Sequence, residues 1–284
     1  MRKILGLLLL VGFTLASCKR ETRSLNQIED EQIQNYIRAN NLTGFVKDST
    51  GYYYQVINPG SGDQLKYSSY ISIFQKTTSI NENVNYEFSK YATFPSYLGY
   101  LSPTPWRETL VKLKKGAEVR ILIPSYLAFG KNGSGTTIPG NSILDSRITV
   151  VNDTDRPAYE DALIQTFLTE NKITATKDPS GIYYQIITPG TGNAVTSSTA
   201  SIKVVYTGRL LTGTVFDQAS SSSPLTIALN NTIEGWRIGV PLIKVGGKIR
   251  LFIPSRLAYG ATGSGLIGAN AILDFDIELT DVTN

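Results

Sequence analysis

The chain has 284 residues, of which 41% are apolar, and this length and composition can build one large folded domain or two ordinary ones. Its formal net charge is only +4 and its basic residues form no cluster, which argues against a nucleic-acid-binding protein. The chain has no histidine and a single cysteine, so histidine-based triads and the common zinc sites are excluded and thiol catalysis is disfavoured.

The amino-terminal segment has the form of an export signal. Arg2 and Lys3 precede an apolar run at residues 4–13, which is about half the length that a helix needs to span a bilayer. Residues 15–18 read LASC and resemble the lipobox of bacterial lipoproteins, a resemblance that implies cleavage before Cys18 and attachment of lipid to its thiol. Cys18 has no partner for an internal disulfide, which fits this interpretation.

These features predict where the protein is held. We interpret residues 1–17 as a lipoprotein signal peptide and residues 18–27 as a lipidated tether. Several acyl chains would hold this tether firmly to a membrane of the cell envelope. Lys19 is not the aspartate that is associated with inner-membrane retention in some bacteria, so the outer membrane is favoured.

The rest of the chain contains a long internal repeat. The octapeptide IPSYLAFG at residues 123–130 returns as IPSRLAYG at residues 253–260, an offset of 130 residues that the two tryptophans share. A period of this size is that of a domain and is too long for a solenoid unit. We therefore predict two homologous domains, at residues 28–152 and 157–284.

Each copy opens with the pattern of an amphipathic helix and continues with the alternating runs of strands. Three-and-four spacing marks the two opening helices at Ile33, Tyr36 and Ile37, and at Leu163, Ile164, Phe167 and Leu168. In the second copy, strands are indicated at residues 182–187, 201–208 and 271–279, and a further helix at residues 235–245. These elements predict an α+β fold in which an antiparallel sheet wraps on a short helix.

The second copy carries motifs that indicate a family. The runs VVYTGRLLTGTVFD (204–217), TIEGWRIGVPLIKVGGKIRLFIPSRLAYGATGSG (232–265) and AILDFDIEL (271–279) closely resemble FKBP-type peptidyl-prolyl cis-trans isomerases, in order and in spacing. The resemblance covers about residues 180–282 and implies a half-barrel sheet wrapped on one helix, with the substrate proline bound between them. It also implies an activity without cofactor or metal, and a pocket that accepts macrolide inhibitors.

Matching these motifs residue by residue gives a candidate site. The resemblance implies that Trp236 is the floor under the proline ring, that the N–H of Ile233 holds one substrate carbonyl and that the Tyr259 hydroxyl donates to another. Asp217 would lie beside the rotating amide and anchor Tyr206. The complete predicted pocket is Tyr206, Phe216, Asp217, Leu225, Ile233, Trp236, Tyr259, Leu266, Ile267 and Phe275.

The first copy departs from this set wherever the pocket needs a polar group or a ring. Phe129 lacks the hydroxyl of its counterpart, and Ser146 stands where the last strand of the second copy has a phenylalanine. Pro103 falls at the position of the backbone donor, and a proline has no N–H to donate. By the same matching, Phe74 replaces the pocket tyrosine and Glu87 is nearest to the pocket aspartate. We therefore predict that the first domain is inactive.

The sequence leaves the role of the first domain open. It is a spacer that holds the second domain away from the membrane, or a module that binds clients or partners through the tyrosine-rich residues 85–101. For the whole protein, the first hypothesis is a lipid-anchored proline isomerase that assists the folding of exported proteins. The alternative is a nonenzymatic binding or assembly lipoprotein of the cell envelope with two FKBP-like domains.

Overall fold

A computed structural model of the chain describes residues 23–87, 91 and 93–284. The predicted signal peptide and the predicted lipid attachment residue Cys18 lie outside this part of the chain. Within the described ranges, no helix is both long enough and apolar enough to cross a membrane.

The helices and strands fall into two sets of the same kind, joined by loops and short 3-10 turns. The first set, in chain order, is α1 (Leu25–Ala39), β1 (Val46–Lys47), β2 (Tyr53–Asn58), β3 (Tyr70–Ser79), β4 (Asn85–Glu87), β5 (Phe94–Tyr97), α2 (Thr104–Leu110), β6 (Glu118–Ile123) and β7 (Leu144–Val150). The second set is α3 (Arg156–Glu170), β8 (Thr176–Lys177), β9 (Tyr183–Thr188), β10 (Ser201–Leu210), β11 (Val215–Ala219), β12 (Leu225–Ala228), α4 (Glu234–Gly239), β13 (Lys248–Ile253) and β14 (Leu273–Thr283).

The strands of each set pair into one antiparallel sheet, and the two sheets have the same strand order. The first sheet runs β1-β2-β6-β7-β3-β4, with β5 also paired to β3. The second runs β8-β9-β13-β14-β10-β11, with β12 also paired to β10. The α+β fold predicted from the sequence, with an antiparallel sheet, a short helix and a preceding long helix in each domain, is confirmed.

The short helix of each domain lies against the inner face of its sheet. In the second domain Trp236 belongs to the same buried core as Leu251. A Cβ on Gly239 would come within 2.6 Å of the Leu251 side chain, so a glycine is needed where α4 approaches the sheet. The helix is shorter than predicted, because α4 ends at Gly239 and a 3-10 turn follows at Val240–Leu242. Pro241 lacks the N–H that would continue the helical bonds.

The long helix of each domain covers the outer face of its sheet, as the apolar spacing predicts. In the first domain Ile33 packs with Tyr53, Leu122 and Ile143, and in the second Ile164, Phe167 and Leu168 pack with Tyr183, Phe252 and Ile272. Helix α3 also contacts the first domain. The ring of Tyr91 lies edge to face on Phe167 at 5.1 Å between centroids, and Phe74 lies 5.8 Å from Tyr159. One helix therefore packs against both domains.

A buried glutamate joins each long helix to the loop after the penultimate strand. Glu29 in α1 accepts hydrogen bonds from the N–H and the hydroxyl of Ser125, at 2.8 and 2.6 Å. Glu160 in α3 accepts the same pair of bonds from Ser255, at 2.8 and 2.6 Å. Both serines belong to the repeated octapeptide, four residues before its variable aromatic position. The long helix thus supports the loop that carries Tyr259 in the second domain.

Candidate active site

The second domain has a cavity of about 690 Å³ between α4 and the inner face of its sheet. Its lining combines several aromatic rings with a few polar groups, which is typical of a ligand site. The lining residues are Tyr206, Phe216, Asp217, Leu225, Ile227, Asn231, Thr232, Ile233, Glu234, Trp236, Arg237, Arg256, Ala258, Tyr259 and Phe275.

Four aromatic rings form the inner wall of this cavity. The Trp236 ring lies edge to face on Tyr206 and on Phe275, at 5.1 and 5.2 Å between centroids. Phe216 lies edge to face on Phe275 at 5.5 Å. The rings close over Gly208, where a Cβ would come within 2.5 Å of Phe275 and 2.7 Å of Phe216. The wall is therefore an apolar surface of fixed shape that requires a glycine beneath it.

A carboxylate and two phenols supply the main polar groups. The Tyr206 hydroxyl donates to Asp217 Oδ2 at 2.5 Å, and the Gln218 N–H donates to Asp217 Oδ1 at 2.9 Å, so both carboxylate oxygens are held. Burial, together with the charge of Asp217, raises the pKa of Tyr206 and of Tyr259 above the ordinary value of 10.0. Both phenols therefore stay protonated at neutral pH. The Tyr259 hydroxyl donates to none of the described residues and is available to a ligand.

The start of α4 supplies a backbone donor. Ile233 is the N-cap residue of α4, and its carbonyl accepts hydrogen bonds from the N–H groups of Trp236 and Arg237 at 3.0 and 3.2 Å. The first N–H groups of a helix have no partner within the helix. The N–H of Ile233 donates to none of the residues that the structure describes, so it can bind the carbonyl of a ligand.

Eight of the ten residues predicted for the pocket line this cavity, and Leu266 and Ile267 do not. Leu266 is 73% exposed, whereas Ile267 is buried in the core of the second domain. The two residues belong to a tight turn that is closed by a bridge between Ser264 and Ile267. This turn directs Leu266 to solvent and Ile267 into the core.

Several lining residues were missed by the sequence analysis. Ile227 follows Leu225 by two positions in β12 and shares its face, so strand alternation could have found it. Arg256 lies inside the octapeptide at a position that differs between the two copies, and that difference was the available signal. Glu234 and Arg237 form an ion pair at the rim that no pattern in the sequence singled out.

The first domain has a smaller cavity at the corresponding place, of about 450 Å³. Like the larger one, it lies between the short helix and the inner face of the sheet, and it also contains the tryptophan of its domain. The lining residues are Ile73, Gln75, Thr77, Tyr86, Phe94, Tyr100, Leu101, Ser102, Trp106, Phe129, Ser134, Gly135, Thr137, Ile138 and Leu144.

Strand pairing corrects the residue that matches the pocket tyrosine. Tyr206 in β10 pairs with Ile277, and the corresponding pair in the first sheet is Gln75 with Ile148. Gln75 therefore occupies the place of Tyr206, and the prediction that Phe74 does so is wrong. Phe74 lies on the outer face of the sheet against α3. Phe74 lies 132 residues before Tyr206 and Gln75 lies 131 residues before it, and a shift of one residue turns every side chain of a strand to the other face.

The true offset of 131 residues also corrects the match to the pocket aspartate. Gly208 pairs with Asp217 in the second sheet, whereas Thr77 pairs with Tyr86 in the first. Tyr86 lines the smaller cavity, and Glu87 is exposed outside it. The prediction that Glu87 stands nearest to the position of the aspartate is therefore wrong. Among the described residues that line the smaller cavity, none is acidic.

In the first domain, a hydrogen-bonded set of polar side chains stands at the positions of two rings of the aromatic wall. Gln75 Nε2 donates to Thr77 Oγ1 at 2.5 Å and to the Tyr86 carbonyl at 3.3 Å. The hydroxyls of Thr77 and Ser146 are bonded at 2.9 Å. Pro103 is the N-cap residue of α2, as Ile233 is of α4, and it has no N–H to offer. The smaller cavity therefore lacks the three donor and acceptor groups that distinguish the larger one.

Known proteins share the motifs and elements described above. The family model FKBP_C, described as FKBP-type peptidyl-prolyl cis-trans isomerase, matches residues 58–151 and 192–280, which together are more than half of the chain. The FKBP-type peptidyl-prolyl cis-trans isomerase FkpA of Aeromonas hydrophila is 50% identical over 101 residues, 35% of this chain and 37% of that protein. The macrophage infectivity potentiator of Trypanosoma cruzi is 42% identical over 110 residues, 38% of this chain and 56% of that protein.

Among solved structures, the crystal structure of FkpA from Escherichia coli aligns with 36% sequence identity and a TM-score of 0.41, over 46% of this chain and 60% of that one. The chain thus spans less than two thirds of the length of the curated relatives that it matches. Both matched segments of the family model carry a sheet and a short helix of the kind described above. The chain belongs to the FKBP-type peptidyl-prolyl cis-trans isomerase family.

Proposed function

We propose that this protein is a peptidyl-prolyl cis-trans isomerase with its active site in the cavity of the second domain. The observation that carries the proposal is the grouping of the Tyr206–Asp217 pair and the Tyr259 hydroxyl around the Trp236 ring in one cavity. Family membership supports the same reaction, as does the similarity to FkpA of Aeromonas hydrophila, an FKBP-type peptidyl-prolyl cis-trans isomerase. The first domain, whose cavity lacks these groups, is inactive in this proposal.

The reaction needs no nucleophile and no cofactor. Rotation about an X-Pro bond has a barrier of about 18–20 kcal/mol because the twisted amide loses its resonance, and uncatalysed exchange takes tens of seconds or longer. A planar amide is more charge-separated than a twisted one, so an apolar wall disfavours the planar ground state. Each ~1.4 kcal/mol of preference for the twisted state raises the rate about tenfold.

The polar groups hold the substrate in the conformation that rotates. The proline ring packs on Trp236, and the N–H of Ile233 binds a substrate carbonyl on one side. The Tyr259 hydroxyl donates to a carbonyl near the twisted bond. Asp217, held by Tyr206, lies beside the rotating amide, where its fixed charge interacts with the amide dipole. Of these groups, Asp217, Tyr259 and Ile233 have the catalytic roles.

The substrates and the location are part of the proposal. In this proposal, lipid on Cys18 anchors the protein to a membrane of the cell envelope. Lys19, which follows the cysteine, favours the outer membrane. The substrates are proline-containing segments of exported proteins. The lipobox-like residues 15–18 and the short apolar run before them support this part. Purification of the mature protein from membranes, with mass spectrometry of its amino-terminal peptide, tests it. A peptide without lipid on Cys18 would contradict it.

The activity is tested by the rate of X-Pro isomerisation in a short peptide, measured with the full chain. Tyr259→Phe and Asp217→Ala should each lower kcat/KM about tenfold or more, which corresponds to ~1.4 kcal/mol of lost transition-state stabilisation. Tyr126→Phe removes a tyrosine hydroxyl from the octapeptide of the first domain and serves as the matched control. A macrolide inhibitor should suppress the rate of the wild-type chain.

Two outcomes would count against the isomerase. Unchanged rates in folded Tyr259→Phe and Asp217→Ala variants would remove the assigned residues from the mechanism. Absence of any acceleration by the folded wild-type chain would leave the alternative, a nonenzymatic binding or assembly protein of the envelope.

A further inference from the structure

A row of exposed tyrosines leads into the cavity of the first domain. Tyr70, Tyr97 and Tyr100 lie edge to face in succession, with ring centroids 5.2 Å apart for the first pair and 5.8 Å apart for the second. Their exposed fractions are 52%, 48% and 80%. Tyr100 also lines the cavity, so the rings and the cavity form one continuous surface. We call Tyr70, Tyr97 and Tyr100 the tyrosine ladder.

The second domain lacks the tyrosine ladder although its backbone is the same there. Ser201 pairs with Ala228 in the second sheet at the register where the first two tyrosines pair in the first. Asn231 ends the 3-10 turn that the third tyrosine ends in the first domain. Large apolar rings grouped on a surface mark interaction sites. This group occurs on the domain whose cavity has lost the catalytic groups.

The cavity beside the tyrosine ladder is a built site with apolar walls. Phe94, Trp106 and Leu144 supply apolar surface, and Gln75 supplies an amide whose N–H groups are already bonded within the domain. Pockets that are lined mainly by hydrophobic and aromatic side chains, with a few polar groups, are typical of ligand sites. The apolar walls of this cavity therefore suit a ligand with a large apolar group.

The same cavity lacks the two donors that we assign to the binding of an X-Pro segment in the second domain. Pro103 offers no N–H at the start of α2, and Phe129 has no hydroxyl to donate. The carbonyls on either side of a bound proline would find neither of the donors that the second domain offers through Ile233 and Tyr259. Recognition here therefore rests mainly on the side chain that enters the cavity and on the rings beside it.

We propose that the first-domain cavity and the tyrosine ladder together bind extended segments of unfolded polypeptide that carry large apolar side chains, and that they do so whether or not the segment contains proline. One apolar side chain enters the cavity, and the neighbouring part of the segment lies across the three rings. Tyrosines suit this task because each offers a rigid apolar ring with a hydroxyl at its edge. The inference does not depend on the isomerase activity proposed for the second domain.

A polypeptide fits this surface better than a polysaccharide. The rings of the tyrosine ladder meet at interplanar angles of 68° and 79°, so they do not present the coplanar faces on which sugar rings stack. None of the described residues that line the cavity is charged, and most of its wall is apolar. An apolar side chain meets mostly apolar surface here, whereas many hydroxyls of a sugar would face groups that cannot hydrogen-bond to them.

The test compares two labelled ten-residue peptides with a central Leu-Phe pair, one followed by proline and the other by alanine. Fluorescence anisotropy with the full chain should show that the alanine peptide binds. A Tyr97→Ala/Tyr100→Ala double variant should weaken this binding about tenfold, the usual effect of removing aromatic contacts at the centre of an interface. Tyr126→Ala, which removes an exposed tyrosine of the same domain outside the cavity and the ladder, should bind the alanine peptide as the wild type does.

A second variant tests the cavity separately from the rings. Thr137 lies exposed at the cavity wall. Thr137→Trp should obstruct the entrance of the cavity and weaken the binding of the alanine peptide, without changing the tyrosine ladder. Circular dichroism and the thermal unfolding midpoint report that each variant is folded. X-Pro isomerisation of a short peptide, measured in the same wild-type preparation, decides the proposed function independently of this binding.

Three outcomes would overturn the inference. The first is no binding of the alanine peptide to the folded wild-type chain at millimolar concentration. The second is wild-type affinity in both the folded double variant and folded Thr137→Trp. The third is displacement of the peptide by a linear glucan hexasaccharide that binds more tightly, which would assign the surface to a carbohydrate.

Discussion

The two cavities show how one backbone frame can hold two different chemistries. In the second domain the wall is made of packed rings, and Asp217 is held beside them by Tyr206. In the first domain Gln75, Thr77 and Ser146 form a buried hydrogen-bonded set at the corresponding positions. Both cavities keep a tryptophan on the short helix. The comparison indicates that side-chain packing and strand pairing maintain the backbone frame, while the chemistry of each cavity depends on a few inward-facing side chains.

The features that the domains share lie mainly outside the cavities. The strand order is the same, and in both domains a glutamate of the long helix accepts two hydrogen bonds from a serine of the octapeptide. These contacts support the loop that carries the variable aromatic residue. A domain can therefore lack the polar groups that its counterpart has in the cavity and still keep the elements that surround them.

The largest effect that we expect comes from giving the second domain a first-domain residue. Phe275→Ser removes a ring that packs on Tyr206, Phe216 and Trp236, and the free energy of unfolding should fall by about 3–5 kcal/mol. The isomerisation rate should fall with it, because the apolar wall is opened. Denaturant unfolding and the X-Pro assay, performed where the variant is folded, measure the two effects.

A matched change in the first domain sharpens this comparison. Ser146→Ala removes only one partner of the Thr77 hydroxyl, which keeps its bond with Gln75. The free energy of unfolding should therefore fall by only about 1 kcal/mol. If Phe275→Ser and Ser146→Ala lowered the free energy of unfolding equally, the ring contacts of Phe275 would add little to the stability of the second domain, which would contradict this expectation.

The next effect concerns the two buried glutamates. Glu160→Ala leaves the N–H and the hydroxyl of Ser255 buried without partners, and should lower the free energy of unfolding by about 2–3 kcal/mol. Glu29→Ala should have a similar effect on the first domain through Ser125. Only Glu160→Ala should also lower the isomerisation rate, because its loop carries Tyr259. Equal isomerisation rates in the two variants would contradict this support of the active site.

Glu160 should also make stability depend on pH. Burial raises the pKa of Glu160 above its ordinary value of 4.5, since the hydrogen bonds from Ser255 only partly offset desolvation. The folded chain then holds this proton more tightly than the unfolded chain does. The contribution of Glu160 to stability is therefore full below pH 4.5 and is lost as the pH rises through the folded pKa. Glu160→Gln keeps one acceptor oxygen and cannot titrate, so the part of the fall in unfolding free energy that Glu160 causes should disappear.

The smallest effect is expected when the missing hydroxyl is restored to the first domain. Phe129→Tyr should leave the isomerisation rate of the full chain unchanged, because Pro103 still offers no N–H and no carboxylate stands in place of Asp217. The assay is most sensitive in an Asp217→Ala background, where the second domain contributes little. If Phe129→Tyr raised the isomerisation rate in that background, a single hydroxyl would account for the difference in activity between the two domains.

Much of the fold and of the candidate site could be predicted from the sequence. The α+β fold follows from helical and alternating patterns that are local, and the octapeptide repeat gave the offset between the two copies. The motifs that carry the family resemblance occur in order and at suitable spacing, and eight of the ten pocket residues implied by this resemblance line the cavity. Leu266 and Ile267 do not, since the direction of side chains in a short turn depends on the bridge that closes it.

The tertiary structure decided what depends on register and on contacts between distant residues. Whether Phe74 or Gln75 faces the cavity depends on a difference of one residue in the repeat offset. Such a difference exchanges the two faces of the strand, and it is visible only when the strand pairing is known. The tyrosine ladder likewise joins Tyr70 in one strand to Tyr97 in another. Sequence patterns identify faces within a segment, whereas strand pairing determines which faces meet, and the chemistry of both cavities depends on that second step.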